Sequence, residues 1–369
     1  MPMLASQLNF CFRIMRLNIL LILIGTLVGL FIAELGIRIY TAQLFSFKRF
    51  NFDYVEVIGG HKIERVKYDP TLGWIPNAGI RIVNGKTYSV NKDSTRLNGT
   101  NRKFPTDKNQ ILAVGDSFTF GHNVSDSDAW PAQLENEIGR SVVNGGVFGY
   151  GLDQIILRSK SLYKEYEPEI LLVSFITEDI FRCGQKVRGW PKPYYTISQG
   201  KLSLVTDHIA AMPRNLELGL TQKYLGYSNL ADVIFRRVAP NWWLSNSVVV
   251  VDSNNYVAAP RQPDRNIDIA CLLMSELAEL KKGNTNIVVI AQYIKSLNDA
   301  MHQSSRVVLD CANKLGLKTL DLFDPLNNIA KSRPEIFNSY YSDHMTPQGN
   351  SFIAKEIKKY LKNEGLVAF

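Results

Sequence analysis

From Ile111 onward the chain alternates short apolar runs with longer segments of helical period. Ile111 to Val114 is wholly apolar and predicts a buried strand. A helix from about Asp128 to Ile138 follows, stopped by Gly139, and then a strand at Ser141 to Val143. A glycine-rich loop, Asn144 to Gly151, leads into an amphipathic helix, Leu152 to Tyr166, and a strand at Ile170 to Phe175. After an irregular stretch the alternation resumes: helix Asp264 to Lys282, strand Ile287 to Ala291, helix Ser304 to Leu315, strand Thr319 to Leu322 and a closing helix, Gln348 to Leu361. Uniformly apolar strands separated by helices are buried on both faces, so the pattern predicts α/β units around a parallel sheet.

Two segments depart from this rhythm. Leu17 to Ala33 carries no charge and continues as apolar helix through Glu34 and Arg38 to about Tyr40. Roughly 20 such residues span a bilayer. Residues 1–42 therefore read as a tail and retained membrane anchor, the run being long for a cleaved signal. Basic residues flank it on both sides, and the extracytoplasmic (periplasmic) placement of the large domain follows from the usual inward position of short N-terminal tails. Residues 43–108 read as a β-rich lead-in, with short strands at Ile80 to Val83 and Thr87 to Val90; its Tyr68-Asp69-Pro70-Thr71-Leu72-Gly73-Trp74 is expected to pack on the main sheet, a binding feature being the alternative. The second departure is the insert at about 184–263, within the 109–369 domain. Its aromatics, among them Trp190, Tyr194, Tyr195, Tyr224, Tyr227, Trp242 and Trp243, form either a small core of their own or a platform for sugar rings.

Composition changes this picture little. At 369 residues, 46% of them hydrophobic and 21% charged, the chain can bury one large core or two small ones. A formal charge of +8 suits anionic lipid or an acidic polymer. No basic run is interleaved with aromatics, so nucleic acid is not an expected partner. The four cysteines lack metal-site spacing, and a disulfide among Cys183, Cys271 and Cys311 stays open.

The candidate chemistry lies where the strands end. Gly115-Asp116-Ser117 follows the first strand, Gly149 lies in the loop after the second, Thr177-Glu178-Asp179 follow the third, and Asp343-His344 precede the last helix. The carboxyl edge of an open parallel sheet is where ligands bind. A serine, a glycine-rich backbone turn and a late histidine supply what acyl transfer needs: a nucleophile, donors for an oxyanion and a general base.

These blocks resemble the SGNH (GDSL-type) hydrolases: Gly115-Asp116-Ser117, Asn144 to Gly151 with Asp153-Gln154, and Asp343-His344-Met-Thr-Pro-Gln-Gly349, in the family's order. The anchor with Leu72-Gly73-Trp74 resembles anchored bacterial members. The resemblance implies a three-layer α/β/α, flavodoxin-like parallel sheet. It makes Ser117 the nucleophile, the N–H groups of Ser117 and Gly149 oxyanion donors, and His344 the general base. Two positions depart from the family pattern. Glu178 stands where the family has an oxyanion-donating Asn, and an ionised carboxylate has no proton to give. Glu178 is then protonated, or turned away with Thr177 or a water in its place, or the chemistry is slow or different. The acid that orients the histidine is expected two or three residues before it, whereas here Asp343 is adjacent and needs a turn to reach His344; otherwise a backbone carbonyl holds the ring. An α/β-hydrolase is the weaker alternative, for no Gly-x-Ser-x-Gly surrounds Ser117.

The resulting expectation is a membrane-anchored esterase or O-acyltransferase acting on acyl esters of a cell-envelope or secreted glycan, with the lipid bilayer as its other partner. The competing expectation is a protein that keeps the fold for glycan binding or polysaccharide assembly after catalysis has lapsed. No metal or organic cofactor is implied by the spacing of the acidic and histidine residues.

Overall fold

A computed structural model describes residues 2–40, 66–99, 110–188, 190–207, 209, 220–239, 243, 263–281 and 285–367. Of the sequence expectations, the first part and the last residues of the lead-in and Trp242 lie outside these residues. Two antiparallel hairpins open the described lead-in, β1 (Val66–Asp69) with β2 (Gly73–Pro76), and β3 (Gly79–Val83) with β4 (Lys86–Val90). The alternating region then supplies β5 (Ile111–Val114), β6 (Val142–Asn144) and β7 (Ile170–Ile176). Two further hairpins, β8 (Val187–Arg188) with β9 (Trp190–Pro191) and β10 (Tyr194–Ser198) with β11 (Lys201–Val205), precede β12 (Asn286–Gln292) and β13 (Lys318–Asp321).

Five strands form one parallel sheet in the order β6-β5-β7-β12-β13. Every residue of β5 and β7 is buried, which is why neither shows the alternation of a half-exposed strand. Each fully buried Leu, Ile, Val or Phe there contributes about 1.5–3 kcal/mol relative to exposure. Helices cover both faces of the sheet. On one side helix Trp130–Ile138 packs against Pro347–Asn363; on the other, Leu152–Tyr166 and Asp299–Lys314 pack against Pro263–Ala278. This is the expected three-layer, flavodoxin-like arrangement. In chain order its strands run 2-1-3-4-5, with the reversal between β5 and β7, so loops leaving those two strands open a crevice at the carboxyl edge.

Most predicted boundaries shift by a few residues. Helix Asp299–Lys314 starts earlier than its apolar period suggests because the Asn298 side chain accepts from the Met301 N–H at 2.9 Å and caps it. Helices Phe323–Ser332 and Pro334–Ser339 have no counterpart in the sequence reading.

The chain divides into two compact units, Met1–Glu56 with Pro213–Val250, and Val57–Met212 with Val251–Phe369. The first unit holds α1 (Pro2–Tyr40), whose Met15–Tyr40 is long and apolar enough to cross a bilayer, a test that a secretory signal also passes. The irregular insert is shared: its hairpins β8 to β11 belong with the sheet, whereas the helices Leu220–Leu225 and Asn229–Val238 belong with α1. Trp243 and Gln222 are buried within that first unit, Gln222 donating to the Trp243 carbonyl at 2.8 Å.

In the second unit a disulfide joins Cys271 to Cys311 across helices Pro263–Ala278 and Asp299–Lys314, and Cys183 is a buried thiol. With 40 residues of separation, closing this loop restricts the unfolded chain by about 2–4 kcal/mol. Reduction is therefore expected to lower the thermal midpoint of the folded protein by several degrees. A denaturation series with and without reductant measures it, and coincident curves would show that the bond contributes no stability.

Candidate active site

Ser117 is positioned by the close packing of the turn that leaves β5. A Cβ at Gly115 would lie 2.1 Å from Thr119 Oγ1 and 2.7 Å from the Ser174 carbonyl, so only glycine lets the chain turn there. Asp116 then caps a single helical turn, Ser117–Phe120, accepting the Phe118 N–H at 2.9 Å. The loop beyond is held by the buried guanidinium of Arg96, which donates to the carbonyls of Phe120 and Gly121 at 2.6 Å and of Val124 at 2.7 Å, and pairs with Asp126 at 3.0 Å. Ser117 is left 9% exposed at the sheet edge.

His344 arrives on a tight turn, 227 residues away in sequence, and its Nε2 lies 3.0 Å from Ser117 Oγ. Tyr341 bridges to Met345, and the Ser342 N–H donates to the His344 carbonyl at 2.8 Å. That turn is what adjacent side chains need in order to face one another. Asp343 Oδ2 lies 3.1 Å from His344 Nδ1 and also accepts from Asn123 Nδ2 at 3.3 Å. With the proton on Nδ1 donated toward Asp343, the Nε2 lone pair faces the serine hydroxyl, the tautomer a general base requires. The Asp343 side chain is 78% exposed, so its charge is screened by water and its main effect is to orient the ring. His122 is half-buried, its ring 4.6 Å from that of His344. His122, Asp343 and His344 bring donor atoms within 4.8 Å of one another, a grouping that could hold a cation and that spacing along the sequence does not reveal.

Gly149 lies at φ +78°, where a side chain would be strained, and the face a Cβ would occupy is 3.6 Å from Trp74. The lead-in supports this loop directly. Trp74 Nε1 donates to the Phe148 carbonyl at 3.1 Å, the Tyr150 hydroxyl donates to the Trp74 carbonyl at 2.6 Å, and Gln154 Nε2 donates to the Leu72 carbonyl at 2.8 Å. Leu72-Gly73-Trp74 thus packs against the loop meant to supply an oxyanion donor. Trp74→Ala is expected to cost about 3–5 kcal/mol of stability through the cavity it leaves. Trp74→Phe keeps most of the packing and loses the bond to Phe148, at about 1 kcal/mol. Thermal melts of both variants, with ester turnover measured well below their midpoints, separate stability from positioning.

The residues after β7 divide. Thr177 turns its hydroxyl away, to Ser305 Oγ at 2.8 Å on helix Asp299–Lys314, and is not brought to Ser117. Asp179 is fully buried, accepts the Ile176 N–H at 2.9 Å and pairs with Arg182. Burial pushes its carboxyl well up, and the charge of Asp116 adds to this. Burial also pushes Asp116 up, against the pull of Arg182. Glu178 Oε2 is buried without a hydrogen-bond partner, and burial raises that carboxyl too, with Asp116 again adding. Three carboxyls therefore gather around Arg182, an arrangement that favours retaining a proton among them. Arg182 carried no sequence signal, and Arg96 lies too far upstream of Ser117 for spacing to reveal it.

Beside His122 a shallow open hollow is lined by Arg81, Tyr88, Phe120 and Phe148, among others. Its apolar walls meet the histidine edge of the site.

No protein-family model matches this chain, and no curated protein matches it. Among solved structures it is similar to a lipase/acylhydrolase from Enterococcus faecalis, at 11% identity over 69% of this chain and 96% of that one, with a TM-score of 0.39. It is also similar to a variant acetyl xylan esterase from Geobacillus stearothermophilus, at 15% identity over 71% and 96%, TM-score 0.38. A structure from Desulfitobacterium hafniense assigned to the G-D-S-L lipolytic proteins gives 10% identity over 68% and 98%, TM-score 0.36. Likeness of this degree says nothing of substrate. The architecture rests on the sheet order, the turn that carries Ser117 and the late turn that carries His344: the chain has a three-layer α/β/α, flavodoxin-like fold with a Ser-His pair at its carboxyl edge.

Proposed function

We propose that this protein is a serine esterase or O-acyltransferase, held at the membrane by α1, that acts on acyl esters of a cell-envelope or secreted glycan from the extracytoplasmic side. The observation that carries the chemistry is the 3.0 Å approach of His344 Nε2 to Ser117 Oγ, with Asp343 at the far ring nitrogen. Ser117 Oγ attacks the ester carbonyl while its proton passes to His344 Nε2. The carbonyl electrons move to oxygen, held by the N–H groups of Ser117 and Gly149, and return as the C–O bond breaks. His344 gives its proton to the leaving alkoxide, leaving an acyl-enzyme and an alcohol. Water or a sugar hydroxyl then attacks that acyl-enzyme, His344 again taking and returning the proton. The acceptor alone distinguishes hydrolysis from transfer.

The Cys271–Cys311 disulfide supports an oxidising compartment, and the apolar Met15–Tyr40 supports an anchor. The test is turnover of a chromogenic acetyl ester together with covalent labelling by a fluorophosphonate. A protein that does neither while still binding acetylated glycan has the second function, a lapsed hydrolase serving polysaccharide binding or assembly. Glu178 is the observation that favours this second reading, since an ionised carboxylate at the oxyanion site would oppose the developing charge.

A further inference from the structure

Of the two insert helices in the first unit, Leu220–Leu225 and Asn229–Val238, the second begins directly on the exposed end of the apolar anchor helix α1. The carboxylate of Glu34 accepts the N–H groups of Asn229 at 3.0 Å and Leu230 at 2.8 Å, and the Ser228 hydroxyl at 2.7 Å. It therefore caps helix Asn229–Val238 from another helix. Arg38, one turn along α1, pairs with Glu34 at 2.6 Å and donates to the Tyr227 carbonyl at 2.7 Å. Glu34 is the first charged residue after the uncharged run Leu17 to Ala33, so its level is where an inserted helix leaves hydrocarbon for the headgroups. The start of helix Asn229–Val238 is tied to that level.

The two sides of this helix differ. Phe235 stacks on Trp243 at 4.9 Å, and Asp232 accepts from Trp243 Nε1 at 2.8 Å, so this side is held within the unit. At 100° per residue, Val233, Ile234 and Arg237 fall on the opposite side and Val238 at its border, and all four are exposed, Val238 by 71%. The preceding helix and turn add exposed Leu220, Tyr224 and Tyr227. Apolar side chains with interspersed Arg237 and Lys223, and tyrosines at the border, are the composition of a helix lying in the bilayer interface. A soluble surface has little reason to expose this group.

We propose that this face of the two insert helices is a membrane-docking surface, its apolar side chains set among the upper acyl chains of an anionic bilayer and its cations among the phosphates. The proposal rests on the reading of α1 as a membrane span, which fixes the depth of Glu34. It makes the insert a second point of membrane attachment rather than a platform for sugar rings.

The test uses the full chain with Cys11→Ser, reconstituted in phosphatidylcholine–phosphatidylglycerol vesicles; Cys183 is buried and the remaining cysteines are bonded. An environment-sensitive fluorophore is placed singly on Ile234→Cys, Val238→Cys, Leu27→Cys within the span, and Lys355→Cys on the closing helix of the second unit. Lipids carrying a shallow nitroxide are expected to quench positions 234 and 238 strongly and position 355 not at all, with position 27 quenched best by a deep nitroxide. Quenching at 27 without quenching at 234 or 238 would overturn the docking surface and leave the anchor standing. Loss of quenching at 27 alone would refute the span yet keep the surface, and loss at all three would refute both.

Discussion

Ser117→Ala is expected to lower kcat for ester hydrolysis by about 10⁴- to 10⁶-fold and to abolish fluorophosphonate labelling, because removing the nucleophile leaves only binding and oxyanion donors to act on the substrate. His344→Ala should fall in the same range, since without the general base Ser117 keeps its proton. The double variant should be no slower than either single one, for the two side chains act as one unit across the 3.0 Å bond between them. Asp343→Asn is expected to do far less than either, its side chain being 78% exposed. Single-turnover and steady-state rates on one chromogenic ester measure all four variants. Additive losses for Ser117 and His344, or full turnover by Ser117→Ala, would show that the Ser-His pairing is not the engine of the reaction.

The parts of this site that were legible in the sequence are those made by local chemistry. Ile111 to Val114 specifies a buried strand by its unbroken apolar run, and it formed as read; the Gly-Asp-Ser that follows makes a capped turn within seven residues of its start. The parallel sheet followed from the alternation of apolar runs with helices. The reach of Asp343 to His344 was not legible, because it depends on the Tyr341–Met345 bridge, a contact that the intervening Ser342, Asp343 and His344 do not announce. Arg96 was hidden for another reason. Its guanidinium fixes the loop after Ser117 through carbonyl oxygens, and backbone acceptors leave no trace in residue identity. The place of His122 was not legible either, because it depends on the loop folding back and setting its ring against His344. The insert showed aromatics without period, and its division between two units depends on the tie from Glu34 to residues almost 200 positions away.

Glu178 carries the second large effect, and its direction depends on pH. Burial and the nearby charge of Asp116 raise its carboxyl above the ordinary glutamate value of 4.5. Below that raised value the group is neutral and can donate to an oxyanion; above it the carboxylate accepts only, and its charge opposes the one being formed. Glu178→Gln keeps the shape and supplies an amide donor at every pH. One oxyanion donor is worth about 10²–10³ in rate, so at pH 8 the variant is expected to exceed the parent by about 10- to 100-fold in kcat/KM, with the advantage shrinking toward pH 5. Taking the ratio of variant to parent at each pH cancels the pH effects that both share. Stability should move with it. A carboxyl raised in the folded state binds its proton more tightly there than in the unfolded chain, so folding is progressively penalised as pH rises from about 4.5 through the raised value. Above that window the parent bears the whole penalty and Glu178→Gln bears none, so the variant should melt higher at pH 8 and nearly level with the parent at pH 4. A rate ratio that stays flat with pH while the melting difference follows it would separate the two roles: Glu178 would then be a buried charge behind the serine and not a donor in front of it, and the oxyanion would rest on the backbone of Ser117 and Gly149 alone.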